Sequence, residues 1–139
     1  MPQKLIRIRQ NTPSHRIEDV YKTVRMQIDS VSVDWGSLQN RRIGITVGSR
    51  GIKNITDIVR SITDAVKDHG AIPIVIAAMG SHGGATAAGQ REMLKSLGVT
   101  EDSVGADIIC HDGPIQKRET LGITVFCNTE ATNLGALII

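Results

Sequence analysis

Two short stretches carry residue types that could do chemistry. Gly48-Ser49-Arg50-Gly51 and Gly80-Ser81-His82-Gly83-Gly84 each follow an apolar run and each precede a helical pattern. Arg50 offers a permanent charge on a planar fork that matches a carboxylate or a phosphate, so its chemistry is binding. His82 can hold or release a proton near neutral pH, which suits general acid and base work or metal ligation. Ser49, Gly51, Ser81 and Gly83 complete a candidate substrate-binding set: glycine lets a ligand approach the backbone, and a helix start favours an anion. A small anionic molecule is the expected guest. An arginine in a surface loop is also commonly just solvated, and a lone histidine is commonly a satisfied hydrogen-bonding residue. The matching placement of the two tips the reading toward function.

Such a pair can serve one ligand only if the elements before them are neighbours. Ile43, Ile45 and Val47 alternate with small residues, as in a strand that closes in a glycine-flanked turn. Asn54 can cap a helix whose apolar positions, Ile55, Ile58, Val59, Ile62, Ala65 and Val66, keep helical spacing up to a stop at Gly70. Residues 72–79 are almost unbroken apolar sequence, as expected of a strand covered on both faces in a parallel sheet. Thr86 can cap a further helix through Met93, Leu94 and Leu97 to Gly98. The fold class expected is therefore α/β: a layered, Rossmann-like domain with a mainly parallel sheet and helices on its faces. In such a sheet the carboxyl ends of parallel strands share one edge, and adjacent strands lie about 4.8 Å apart.

The flanks complete the plan. Residues 4–9 suit an edge strand, and Ile17, Val20, Tyr21, Val24 and Ile28 mark a helix over about residues 16–29. Residues 32–41 have no period and read as a loop. Further short strands are expected at 107–110, 123–126 and 134–139. His111 and Asp112 follow the first of these and could reach the same edge, the carboxylate fixing an imidazole tautomer. Asp112-Gly113-Pro114 is equally an ordinary turn, which is the preferred reading. Ala136-Leu137-Ile138-Ile139 reads as a buried strand with nothing after it, so a truncated piece is expected, the alternative being a terminus that pairs internally.

Composition excludes several classes. With 139 residues, 40% hydrophobic, the chain can bury one core without metal or disulfide staples. A net charge of +2, evenly spread, is too small for a nucleic-acid or anionic-membrane footprint. Only Trp35, Tyr21 and Phe126 are aromatic, which argues against base-stacking platforms. Cys110 and Cys127 lack the close spacing of a zinc or redox pair and read as buried thiols in a reducing cytoplasm. No segment resembles a signal peptide or is long enough to span a bilayer, so the expected localisation is cytoplasmic. The glycines at 80–89 do not fall as G-x-G-x-x-G, no Gly-Lys-Ser/Thr follows them, and G-x-S-x-G and H-E-x-x-H are absent. His15 and His69 receive no chemistry.

Gly48-Ser49-Arg50-Gly51-Ile52, together with residues 79–90, Met-Gly-Ser-His-Gly-Gly-Ala-Thr-Ala-Ala-Gly-Gln, resembles the N-terminal domain of the nickel-dependent lactate racemase family. The resemblance covers essentially the whole chain and makes residues 1–139 a single domain at the start of a longer enzyme. It implies a nickel pincer nucleotide that takes a hydride from the α-carbon of a 2-hydroxy acid and returns it to either face. It further implies that Arg50 grips the substrate carboxylate and that His82 is a catalytic histidine; His111 and Asp112 fall where many members carry His-Asp, with no role attached. The lactate enzymes carry Asp-x-Thr-Arg-Pro at the first motif, so a 2-hydroxy acid other than lactate is expected here. The covalent lysine and the metal-ligating histidine belong, by the same resemblance, to a missing C-terminal domain, so this chain holds no metal ligand and is expected to be inactive alone. Nucleic acid and membrane are not expected partners, and oligomerisation is left open. A non-catalytic module binding an anion or a nucleotide phosphate is the alternative, and an interaction domain pairing through its last strand is a second.

Overall fold

The computed structural model describes residues 7–11, 16–111 and 115–139. β1 (Arg42–Val47) and β2 (Ile72–Ala77) pair in parallel with Val47 opposite Ala77, and β2 pairs in parallel with β3 (Asp107–Ile109). β6 (Ala136–Ile138) adds to the other side of β1, again in parallel, giving the order β3-β2-β1-β6. The connections are helical: α2 (Ile55–Asp68) joins β1 to β2, while α3 (Ala87–Ser96) and the single turn α4 (Glu101–Val104) join β2 to β3. This is an α/β fold with a four-stranded, all-parallel sheet flanked by helices, in a Rossmann-like layered arrangement. Separate from that sheet, β4 (Ile115–Thr120) and β5 (Ile123–Asn128) form an antiparallel hairpin. Leu121 and Gly122 turn it with φ of +53° and +74°, the conformation that matches the natural twist of a two-residue hairpin.

Alternation in the strands makes the core. Val47 of β1, Val75 of β2 and Ile108 of β3 meet Val59 of α2, Leu94 of α3 and Val104 of α4, all of them buried. Lower on the same face Ile43, Val66 and Ala71 continue the layer against Trp35, Leu38, Ala136 and Ile138. On the opposite face β1 presents Gly44, where a Cβ would come within 2.7 Å of the Leu134 and Leu137 side chains. A side chain at 44 would therefore push β6 and the residues before it away from the sheet.

Helix ends follow local chemistry, with some departures from the sequence reading. α1 (Val20–Ser30) starts four residues later than periodicity suggests, because the Asp19 carboxylate accepts the Lys22 N–H at 2.8 Å and sets the cap there. At α2 the cap position is Asn54, but its backbone is left-handed (φ +61°) and its side chain makes no capping bond. Thr86 does cap α3, accepting from the Gly89 N–H. α4 and β4 were not expected; α4 is fixed by a reciprocal box in which Thr100 and Ser103 each accept the other's N–H. Of the strand expected at 4–9, residues 4–6 lie outside the described residues, and residues 7–9 form no strand.

α1 buries no residue of its own and docks on α2 through polar pairs. The Tyr21 hydroxyl donates to Asp64 Oδ2 at 2.8 Å, Arg25 donates to Asp68 at 2.7 Å, and His69 Nε2 lies 3.4 Å from Asp29. The pairs advance together along both helices, which therefore run in the same direction. Beneath them the fully buried Ser61 hydroxyl donates to the Tyr21 carbonyl. Burial alone would raise the Asp64 carboxyl, but hydrogen bonds from Arg60 and Tyr21 more than offset it and hold the group below its ordinary value. The same bond to Asp64 makes the Tyr21 hydroxyl harder to ionise.

Candidate functional site

Because Val47 and Ala77 are register partners, the chains leave β1 and β2 side by side, and the Ala78 N–H still donates to the Val47 carbonyl at 2.9 Å. The two glycine-flanked loops then diverge around a cleft of about 380 Å³ lined by Gly48, Ser49, Arg50, Ile52, Ala78, Met79 and His82. Met79 is buried and joins the cleft to the core below it. The His82 N–H donates to the Met79 carbonyl at 3.2 Å, closing the turn that turns the imidazole back toward the first loop. There His82 Nδ1 lies 2.5 Å from Ser49 Oγ, across 33 positions of sequence.

The sequence-derived set is thus divided. Arg50, Ser49 and His82 line one cleft; Gly51, Ser81 and Gly83 do not. Gly51 stands beyond the lining, with Leu97 the nearest side chain to where a Cβ would be. Ser81 contributes its carbonyl, which accepts the Ala85 N–H at 3.1 Å. Gly83 (φ +68°) faces α3, and a Cβ there would come within 2.6 Å of the Gln90 nitrogen. Its absence of a side chain serves the packing of loop on helix, where the sequence reading assigned it to ligand approach. His111 follows the end of β3 at the same carboxyl edge, half-buried, and Asp112 lies outside the described residues.

One residue was missed as a positioning element. Gln90 is buried, and its Oε1 accepts the His111 N–H at 3.0 Å, tying the chain after β3 to α3. A glutamine three residues ahead of the apolar Met93 and Leu94 is an inconspicuous helix residue in sequence. Only its burial identifies it.

Arg50 carries a charge with no internal partner among the described residues. Arg25, Arg42, Arg60 and Arg91 each pair with a carboxylate, whereas Arg50, exposed at the cleft, has no ion pair among the described residues. A guanidinium without an internal partner is available to an anion from solution. Cys110 is a poor candidate nucleophile, since burial raises its thiol above the ordinary value and it packs against the core. A second hollow of about 310 Å³ beside β6 is lined by apolar and aromatic side chains, among them Val31, Trp35, Leu38 and Ile138, with nothing to orient an anion.

Among the described residues no three His, Cys, Asp or Glu side chains converge on a point that could hold a metal ion. The cleft offers one imidazole, one hydroxyl and one guanidinium, a set with too few metal-ligating groups to hold a nickel ion by itself. Among the described residues no helix is long and apolar enough to cross a membrane. Compared with protein-family models, with curated proteins and with solved structures, the chain matches none.

Proposed function

We propose that this chain is the substrate-side domain of a racemase or epimerase of the nickel-dependent lactate racemase kind, acting on a small 2-hydroxy acid. Arg50 anchors the carboxylate through paired N–H donors. His82 accepts the hydroxyl proton as the substrate reacts and returns it afterwards. Ser49 and Gly48 shape the wall between them. No cluster of metal-ligating side chains is present among the described residues, so the reading covers binding and proton movement at this cleft, with the cofactor supplied by a C-terminal domain. The single observation that supports it is the convergence of Ser49, Arg50 and His82 on one cleft at the carboxyl ends of β1 and β2.

Calorimetric titration of the chain with 2-hydroxy acids such as lactate, malate and glycerate tests the reading. A charge-assisted hydrogen bond contributes about 1.5–3 kcal/mol, so Arg50→Ala should weaken binding by roughly ten- to a hundredfold. His82→Ala should weaken it much less. Equal affinity in wild type and Arg50→Ala, or no binding of any such acid, contradicts the reading.

A further inference from the structure

Among the described residues, the bond to Ser49 is the only one made by the His82 ring, and it engages Nδ1. Nε2 is therefore the nitrogen left for a ligand. A neutral imidazole has two forms, and they do different work here. With the proton on Nδ1, the ring donates to Ser49 Oγ and carries its lone pair on Nε2, ready to accept a proton from a bound hydroxyl. With the proton on Nε2, the serine must donate to Nδ1, and the ring can take nothing from a ligand through Nε2. After protonation the imidazolium donates from Nδ1 in either case. Only the first form keeps a single hydrogen bond through the whole proton cycle, with neither the ring nor the serine turning.

We infer that Ser49 is a positioning residue for His82: its hydroxyl accepts from Nδ1–H, fixes the tautomer whose Nε2 is free as a base, and keeps its own hydrogen to donate to a bound anion. The inference rests on the acid–base role proposed above for His82. Its asymmetry of exposure fits that part, since Ser49 is half-buried on the β1 turn while His82 stands exposed. The better-held group orients the freer one. A hydroxyl is sufficient, so threonine should replace serine and alanine should not.

Long-range proton–nitrogen NMR of the 139-residue chain reads the tautomer directly, without ligand or turnover, at a pH where histidine rings are neutral. The His82 signals are assigned by their loss in His82→Gln. In wild type the proton should sit on Nδ1; in Ser49→Ala it should move to Nε2, the form imidazole prefers in water; in Ser49→Thr it should return to Nδ1. A wild-type ring protonated at Nε2, or a tautomer that ignores Ser49→Ala, overturns the inference, and the wild-type spectrum decides even if the alanine variant fails to fold. The two readings fail separately. Arg50-dependent binding of a hydroxy acid with the wrong tautomer removes the role of Ser49 alone, whereas the right tautomer without such binding removes the proposed function.

Discussion

Gly83 and Gly89 meet backbone to backbone, so that a Cβ on either would overlap main-chain atoms of the other. The contact locks the loop that carries His82 onto the first turn of α3, where Thr86 receives the Gly89 N–H and its own hydroxyl donates to the Gly83 carbonyl at 3.1 Å. The backbone that carries His82 is thus held from outside the cleft, by two residues that need not touch a ligand.

Alanine at either glycine should displace that loop. Gly89→Ala and Gly83→Ala should each lower stability by about 1–3 kcal/mol, the usual range for overpacking, with the added left-handed backbone cost at 83. Gly84→Ala is the control: its φ is +69° but nothing lies within 4 Å, so only the backbone cost of about 1 kcal/mol applies. Thermal unfolding of the three variants checks the order: the loss at 83, which adds the overlap to the same backbone cost, should exceed that at 84, and equal losses at 83 and 84 would deny the contact its role.

Gln90→Leu should leave the His111 N–H without its acceptor while preserving side-chain bulk. An unsatisfied buried donor costs about 1–3 kcal/mol. The expected signature is local as well as global: amide exchange at His111 accelerates, while exchange in β1 and β2 follows only the global loss. Unchanged protection at His111 would show that another group holds it.

Acid should loosen α1 from α2. The folded-state value of Asp64 lies below its ordinary value near 3.8, so this carboxylate contributes stability in full above that value and loses it as pH falls through the lower one. Amide exchange across Val20–Ser30 should therefore rise on acidification below about pH 4, before the sheet opens. Glu101, lowered by its bond from Arg91, titrates in the same direction but touches a different helix. Asp64→Asn should flatten the pH response of α1 alone; a response that survives the substitution would place its origin elsewhere.

The sheet and its two crossovers were legible because they rest on local rules. Ile43, Ile45 and Val47 alternate, the α2 stripe keeps its period to Gly70, and Thr86 caps where it stands. Asn54 shows where such rules stop: it sits at the cap position, yet its left-handed backbone turns the side chain away from capping. β4 escaped because Gln116, Lys117, Arg118 and Glu119 give no apolar alternation, and it is specified by pairing with β5. At the site, the loops and their adjacency could be read from motif and topology. The Ser49 to His82 bond and the Gln90 to His111 bond could not, since each depends on a side-chain direction that no period encodes, nor could the backbone approach of Gly83 to Gly89, which only the packing of loop on helix sets.

In the proposed function one guanidinium and one imidazole serve the same guest. Titrating a 2-hydroxy acid into isotopically labelled chain, while following the Arg50 Nε–H and the His82 ring signals together, measures this most directly. Both sets should shift along one saturation curve, and Arg50→Ala should abolish the response at His82. Movement at only one of the two, or shifts at His82 that persist without Arg50, would contradict a shared site.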